Sequence, residues 1–410
     1  MTNCRKPEIP GYHQKLIQNQ YANVGTRYHY RWARRLNMKV KMLAGNLDVD
    51  KARYDWAYAP HPKKKERVAA YLDRYSTGVY KDTPWLPKSE KIEYKCKPQE
   101  LLPAQKLLRG TGNLGVMQAL QSGYIPDFLK RAMEEPCQVG IGTAIYLPMA
   151  NDEIMTNAFR DLWYTNTSCF YYFSDDSCMG VSCVDGNLVA NCDISSCDAS
   201  NYAPIFHMLM RIGENPIWQK DWDAAFDALL VPFYIRDPNF HKYKLTFEHD
   251  DYVLFSGSVL TTLVNNVANM MIYMQFMKNF RVDMTKAQAK VCYQNSAEEV
   301  GFILKLDVCE CIEDLQFLKL SPVMSENEDL VSMVNLGAWI KGFGYVKGDL
   351  PGKANVPIST RADHFNSGVI NGRVHWGNHS FHDAFKALVK YNDVIDSEKT
   401  FVSSSKRIQA

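Results

Sequence analysis

The sequence predicts an α+β fold in which an antiparallel sheet in the middle of the chain is followed by long helices. Three observations carry this. Residues 167–194 read as short β-prone runs separated by turn signals, helical segments dominate from Tyr202 to Val300, and charge is split unevenly along the chain. With 410 residues, 46% of them hydrophobic and 22% charged, the chain can bury a large core divided into two or three subdomains. That composition excludes a disordered or fibrous protein. Residues 1–110 hold 23 Lys and Arg against 10 Asp and Glu, a balance of +13, and the other 300 hold 24 against 35, or −11, within a formal total of +2. Such a division favours a phosphate-rich ligand on one part and carboxylate chemistry, with or without metal, on the other.

The first 110 residues interleave cations with aromatics, as in Arg27-Tyr-His-Tyr-Arg31-Trp-Ala-Arg34-Arg35 and Lys63-Lys64-Lys65-Glu66-Arg67. Further on, residues 167–173 (TSCFYYF) are aromatic and β-prone, Ser174-Asp175-Asp176-Ser177 reads as a turn, and 178–184 (CMGVSCV) is extended. Asp185-Gly186 is a hairpin turn signal leading into 188–194 (LVANCDI). Helices are expected over Tyr202–Gly213, Trp218–Leu230, Ser258–Lys278 and Lys286–Val300, the last with Thr285 as N-cap and Gly301 as its stop.

The chemistry centres on Asp193. Side chains alternate along a strand, so Val189, Asn191 and Asp193 share one face and Leu188, Ala190, Cys192 and Ile194 the other. Pairing through the Asp185-Gly186 turn sets residue 193 opposite about residue 178 or 179, roughly 7–14 Å along the backbone from Asp175 and Asp176. Carboxylates reaching inward over that span can hold two divalent cations about 3.5–4 Å apart, the spacing of in-line phosphoryl transfer. An acidic turn alone would be ordinary, because Asp is a common turn residue. Here a second carboxylate, Asp198, follows Asp193 by five residues, and Ser256-Gly257-x3-Thr261-x3-Asn265 opens a long helix. Thr261 and Asn265 project from one stripe of that helix, and Gly257 permits a loop to approach a ligand closely.

D-x4-D followed by S-G-x3-T-x3-N resembles motifs A and B of the palm of viral RNA-dependent RNA polymerases. The acidic turn of motif C is missing after motif B; Phe173-Ser174-Asp175-Asp176-Ser177 stands upstream of motif A instead. The order C, A, B is similar to the permuted palm of the birnavirus and permutotetravirus (Thosea asigna type) polymerases. The resemblance implies a right hand whose palm sheet is antiparallel, RRM-like and of permuted connectivity. Fingers would occupy 1–160, the palm 161–325 with a fingers insertion at about 205–250, and the thumb 326–410. Asp193, Asp175 and Asp176 would hold two Mg²⁺ or Mn²⁺ ions; Asp198 and Asn265 would read the ribose 2′-hydroxyl, with Ser256, Gly257 and Thr261 beside the nucleotide. Lys95, Lys97, Lys106 and Arg109 would be the basic finger strand that grips triphosphate. Asp314-Leu-Gln-Phe317-Leu318-Lys319 resembles the hairpin of motif E, and Lys305 is a candidate proton donor. Ser174 departs from the pattern, because motif C often has Gly there.

The implied partners are RNA template, primer or product, NTPs and other viral replication proteins. A non-catalytic viral RNA-binding or structural protein, or a reverse transcriptase, is the competing reading; reverse transcriptases usually carry an aromatic side chain near the sugar, where this chain has Asp198. The apolar stretch Val259–Phe280 is interrupted by Asn265, Asn266, Asn269 and Gln275, so no transmembrane segment is expected. Eleven scattered cysteines and the absence of a signal-peptide layout fit the host cytoplasm, in a replication complex or virion. Gly110-Thr-Gly112-Asn-Leu-Gly115 matches a dinucleotide-binding pattern but lacks its strand–turn–helix context, and is expected to be a flexible turn. The cysteines at 178, 183, 192 and 197 are expected to be core thiols, and His375, His379 and His382 packed or solvated side chains.

Overall fold

A computed structural model describes residues 26–61, 63–76, 90–95, 109–113, 115–148, 151–164, 168–236, 243–324 and 329–335. In chain order its helices are α1 (Thr26–Ala44), α2 (Val49–Tyr58), α3 (Lys64–Tyr71), α4 (Gly115–Ser122), α5 (Ile125–Met133), α6 (Asp152–Tyr164), α7 (Cys197–Ser200), α8 (Ala203–Gly213), α9 (Gln219–Asp227), α10 (Thr261–Asn279) and α11 (Lys286–Glu299). The strands are β1 (Glu90–Lys95), β2 (Arg109–Asn113), β3 (Cys137–Val139), β4 (Gly142–Tyr146), β5 (Ser168–Phe173), β6 (Asp176–Cys183), β7 (Gly186–Ile194), β8 (Phe233–Arg236), β9 (Lys244–Phe247), β10 (Leu304–Val308), β11 (Leu320–Met324) and β12 (Leu330–Val334). They form sheets of order β10-β7-β6-β5-β4-β3, β2-β1-β8-β9 and β11-β12. The basic, aromatic-rich stretch from 26 to 76 is helical, which its charge clusters did not reveal.

The chain divides into two compact units. The first takes in Met1–Pro148, Tyr172–Asp175 and Asp193–Lys305. Its central helix is α10, where every residue from Leu263 to Met277 is buried. A helix apolar on all sides belongs inside a core, which explains the long hydrophobic run. It is shorter at its start than the sequence suggested: Ser258 Oγ accepts from the Leu260 N–H (3.2 Å), and regular helix begins only at Thr261. Next to it, α11 has the expected cap. The Thr285 side chain accepts from the Gln288 N–H and the Gln288 side chain accepts from the Thr285 N–H, satisfying two donors at the helix start.

In the same unit β1 pairs antiparallel with β2 and parallel with β8, so residues 90–95 and 109–113 share one sheet with 233–236 and 244–247. Arg109–Asn113 is therefore a strand, correcting the flexible-turn reading of Gly110-Thr-Gly112. Another backbone comes close to it. Gly112 N–H donates to the Ser256 carbonyl (3.1 Å), and a Cβ on Gly257, whose φ is +111°, would sit 3.1 Å from the Gly112 oxygen.

The second unit takes in Met149–Tyr171, Asp176–Cys192 and Leu306–Ala410. Here α6 packs on β6, β11 and β12, and Gly180 gives the room: a Cβ there would meet the Leu162 carbonyl at 2.9 Å. Asp314 caps a short 3₁₀ turn at Ile312–Asp314, and Leu318 and Lys319, both at positive φ, turn the chain into β11. The Phe-Leu-Lys segment likened to motif E is thus the tight turn that opens the β11–β12 hairpin. Most of the expected thumb, residues 336–410, lies outside the described residues, as do the three histidines.

Candidate functional site

β7 delivers Asp193 as expected: Leu188, Ala190, Cys192 and Ile194 are buried, while Asp193 is exposed near the strand's end. Two turns differ from what the sequence suggested. The chain reverses at Val184-Asp185, one residue before the expected pair, and Gly186 at φ +112° begins β7. Only Ser174 and Asp175 form the acidic turn; Asp176 already belongs to β6. The reason is Ser174, whose φ of +56° closes the reversal in two residues and places Ser where a glycine would be least strained.

Helix α10 holds that turn, all within the first unit. Asn266 Oδ1 accepts from the Ser174 N–H at 2.7 Å, and Asn269 Nδ2 donates to the Ser174 carbonyl at 2.6 Å. Asn265 Nδ2 donates to Asp198 Oδ1 at 2.9 Å and reaches Ser174 Oγ at 3.5 Å, while its Oδ1 accepts from Asn201 Nδ2 at 3.0 Å. Asn201 also donates to the Cys197 carbonyl at 2.8 Å. Asn265, Asn266 and Asn269 are all buried, where an unpaired amide would be costly. Sequence reading singled out Asn265 but treated Asn266 and Asn269 only as interruptions of an apolar run. Amides at three neighbouring positions of a wholly buried helix were the available signal for a polar task in the core.

Three of the predicted carboxylates lie near one thiol. Burial pushes the Cys197 thiol well up, and the charges of Asp175, Asp198 and Asp193, in that order, push it further. Asp175 and Asp193 are exposed and Asp198 is half-buried. Asp176 falls in the second unit, where its Oδ2 accepts from the Leu318 N–H at 3.2 Å. Thr261 does not point its hydroxyl outward; it donates to the Phe255 carbonyl at 3.0 Å and so ties the Ser256-Gly257 loop to α10.

Of the four basic residues, Lys95 and Arg109 are directly opposite each other in the β1–β2 ribbon. Lys97 and Lys106 lie outside the described residues. Other cations of the basic third, Arg31, Arg35 and Lys39, line a cleft of about 360 Å³ with Glu135, Cys137 and Tyr172.

Carboxylate oxygens are the donors that Mg²⁺ or Mn²⁺ requires. Among the described residues no group of three or more His, Cys, Asp or Glu is placed to hold a metal by itself. A preformed cage is not the usual arrangement for Mg²⁺ at phosphate sites, where one or two carboxylates act with substrate phosphates. Asp175 and Asp193 fit that donor set. The cysteines in the described residues are free thiols, as expected.

No family model matches this sequence. No curated protein matches it. Its fold is shared by solved structures, among them the following two. One is the X-ray structure of the birnavirus VP1–VP3 complex, at 14% identity and a TM-score of 0.50, covering 88% of this chain and 49% of that one. The other is the RNA polymerase VP1 from Infectious Pancreatic Necrosis Virus, at 13% identity and a TM-score of 0.51, covering 88% and 48%. The chain thus spans about half the length of the structures it matches. It has the α+β fold of a viral RNA polymerase. The particular polymerases are those of birnaviruses, the permuted-palm group that motif order pointed to.

Proposed function

We propose that this chain is an RNA-dependent RNA polymerase that joins NTPs to a growing strand on an RNA template during viral genome replication and transcription. The observation that carries the proposal is the junction made by α10. One helix ties the Asp175 turn, through Asn266 and Asn269, to Asp198, through Asn265. These are the segments likened to motifs C, B and A, brought together although they are far apart in sequence. The birnavirus fold supports it independently.

In this reading Asp193 and Asp175 hold two Mg²⁺ or Mn²⁺ ions, with Asp176 next in the chain. Ions held there would supply Lewis acidity to the primer hydroxyl and positive charge to the triphosphate. Asp198 accepts from the ribose 2′-hydroxyl, and Asn265, by donating to Asp198, fixes the direction of that carboxylate. Ser256 and Gly257 form a loop beside template and nucleotide, held by Thr261 on one side and by Gly112 of β2 on the other. Lys95 and Arg109, with Lys97 and Lys106, neutralise the triphosphate, and Lys305 on β10 is the candidate proton donor. We assign fingers to 1–160 and 205–250, palm to the rest of 161–325, and thumb to 326–410. One matched structure is a complex of VP1 with VP3, so a second viral protein is a proposed partner, together with RNA, in a replication complex or virion in the host cytoplasm.

Primer extension on an RNA template tests this. NTP incorporation should require Mg²⁺ or Mn²⁺, fall at least about 100-fold in Asp193→Ala and Asp175→Ala, and exceed dNTP incorporation. Equal use of NTP and dNTP would overturn the role of Asp198. Salt-sensitive RNA binding without incorporation would instead indicate a non-catalytic RNA-binding protein.

A further inference from the structure

The helical hairpin α2–α3 carries a row of tyrosines that no step of nucleotidyl transfer uses. Tyr54 and Tyr58 stack with ring centroids 4.3 Å apart and planes inclined by 25°. Tyr71 meets both edge-on, at 5.6 and 6.2 Å, and Tyr75 continues the row 5.5 Å from Tyr71. Tyr54 is 44% exposed, and the other three are half-buried.

Other residues attach the hairpin to the core. Arg53 is buried and paired with Asp221, which also accepts from the Tyr124 hydroxyl at 2.8 Å. Trp56 lies so close to Gly123 that a Cβ there would be 2.7 Å from its ring. Anchoring of α2 therefore falls to positions 53, 56 and 57, while Tyr54 and Tyr58 occupy another stripe.

Charge follows the same stripe. Residues 51–76 hold seven Lys and Arg against three Asp and Glu. Lys51, Tyr54 and Tyr58 are spaced three and four apart on α2, and Lys64 and Tyr71 seven apart on α3, so each group shares a helix face. Lys63, Lys64 and Lys65 are all exposed.

We propose that this hairpin is a binding site for single-stranded RNA, on elements other than those that carry the carboxylates. Bases stack on Tyr54, Tyr58 and Tyr71, and backbone phosphates lie along Lys51 and Lys63-Lys64-Lys65. Aromatic faces beside a basic track are the arrangement that holds single strands with little sequence preference. A duplex would offer its phosphates but no unstacked base, and an acidic peptide would leave the ring faces without a partner. RNA rather than DNA as the ligand rests on the polymerase reading; the platform itself does not.

The test uses the full chain and two labelled probes of equal length, a uridine oligonucleotide and its abasic counterpart, measured by fluorescence anisotropy. Tyr54→Leu with Tyr71→Leu should weaken binding of the uridine strand about tenfold or more and leave abasic binding unchanged. Tyr54→Phe with Tyr71→Phe should bind as the wild type does. Cross-linking of the wild-type chain to a 4-thiouridine strand should map to the peptides bearing Tyr54, Tyr58 or Tyr71. Unchanged uridine binding by the Leu variant, or cross-links absent from the hairpin, would overturn the proposal, and the second holds even if the variant fails to fold. Extension of a preformed primer–template by the Leu variant should match wild type. Tyrosine-dependent binding without NTP incorporation would leave this site standing and remove the polymerase; incorporation with hairpin-independent binding would do the reverse.

Discussion

Replacing Asn269 with Leu tests whether α10 positions the acidic turn. Leu fills a similar volume, so packing within the buried helix is largely kept. The 2.6 Å bond from Asn269 Nδ2 to the Ser174 carbonyl is lost. A neutral hydrogen bond contributes about 1 kcal/mol, and leaving its partner unpaired in a buried setting costs up to about 3 kcal/mol. For a unit of this size each kcal/mol moves the melting temperature by roughly 2–4 °C, so a fall of about 2–12 °C is expected by differential scanning fluorimetry. The larger effect should be on turnover. Asp175 directly follows Ser174, and a displacement of about 1 Å in a reacting site can cost about 100-fold. NTP incorporation should therefore drop at least about tenfold. Gln275→Leu is the control, because Gln275 is a buried amide of the same helix that donates to Glu299 instead. It should lose stability and retain turnover measured well below its melting temperature. If Asn269→Leu melts and incorporates NTP like wild type, or if Gln275→Leu loses as much turnover, the clamp has no role in positioning.

Three other outcomes follow from the geometry. Gly257→Ala forces an L-residue to φ +111° and sets a Cβ 3.1 Å from the Gly112 carbonyl, so it should destabilise by about 1–3 kcal/mol and raise the KM for NTP more than it lowers kcat in steady-state assays. Arg53→Met leaves the Asp221 carboxylate buried without its cation, at a cost of about 3–5 kcal/mol; adding Asp221→Leu should recover most of the lost melting temperature. Asp314 accepts from the Cys311 and Glu310 N–H groups, which hold its carboxyl below the usual range. Its stabilisation is present above the unfolded value of about 3.9 and is lost as pH falls through the lower folded value. The melting-temperature gap between wild type and Asp314→Ala should accordingly be constant near neutrality and shrink in that acid window.

Much of the site was legible because its signals are local. Alternation along 188–194 put Asp193 on the face opposite Leu188, Ala190, Cys192 and Ile194, the Thr285 cap and Gly301 stop bounded α11, and helical spacing put Thr261 and Asn265 on one stripe. Turn positions were one or two residues off, since a two-residue reversal depends on which residue takes positive φ, and Ser174 gives no sign of that in sequence. Gly110-Thr-Gly112 was misread because its hydrogen-bond partner is a backbone 144 residues away, at Ser256, and the helices between 26 and 76 were hidden by their charge.

The sequence by itself determined the carboxylates, their order along the chain and the charge division, since those depend on residue identity and short-range periodicity. Only the tertiary structure decided what the asparagines of α10 do, that Thr261 ties a loop down, and that Asp176 leaves the turn to accept from Leu318. The first and third are hydrogen bonds between residues distant in sequence, and the second fixes a loop whose other tie, from Gly112, is equally distant. Such partners are chosen by how helices and strands pack, and buried amides must find partners wherever that packing provides them.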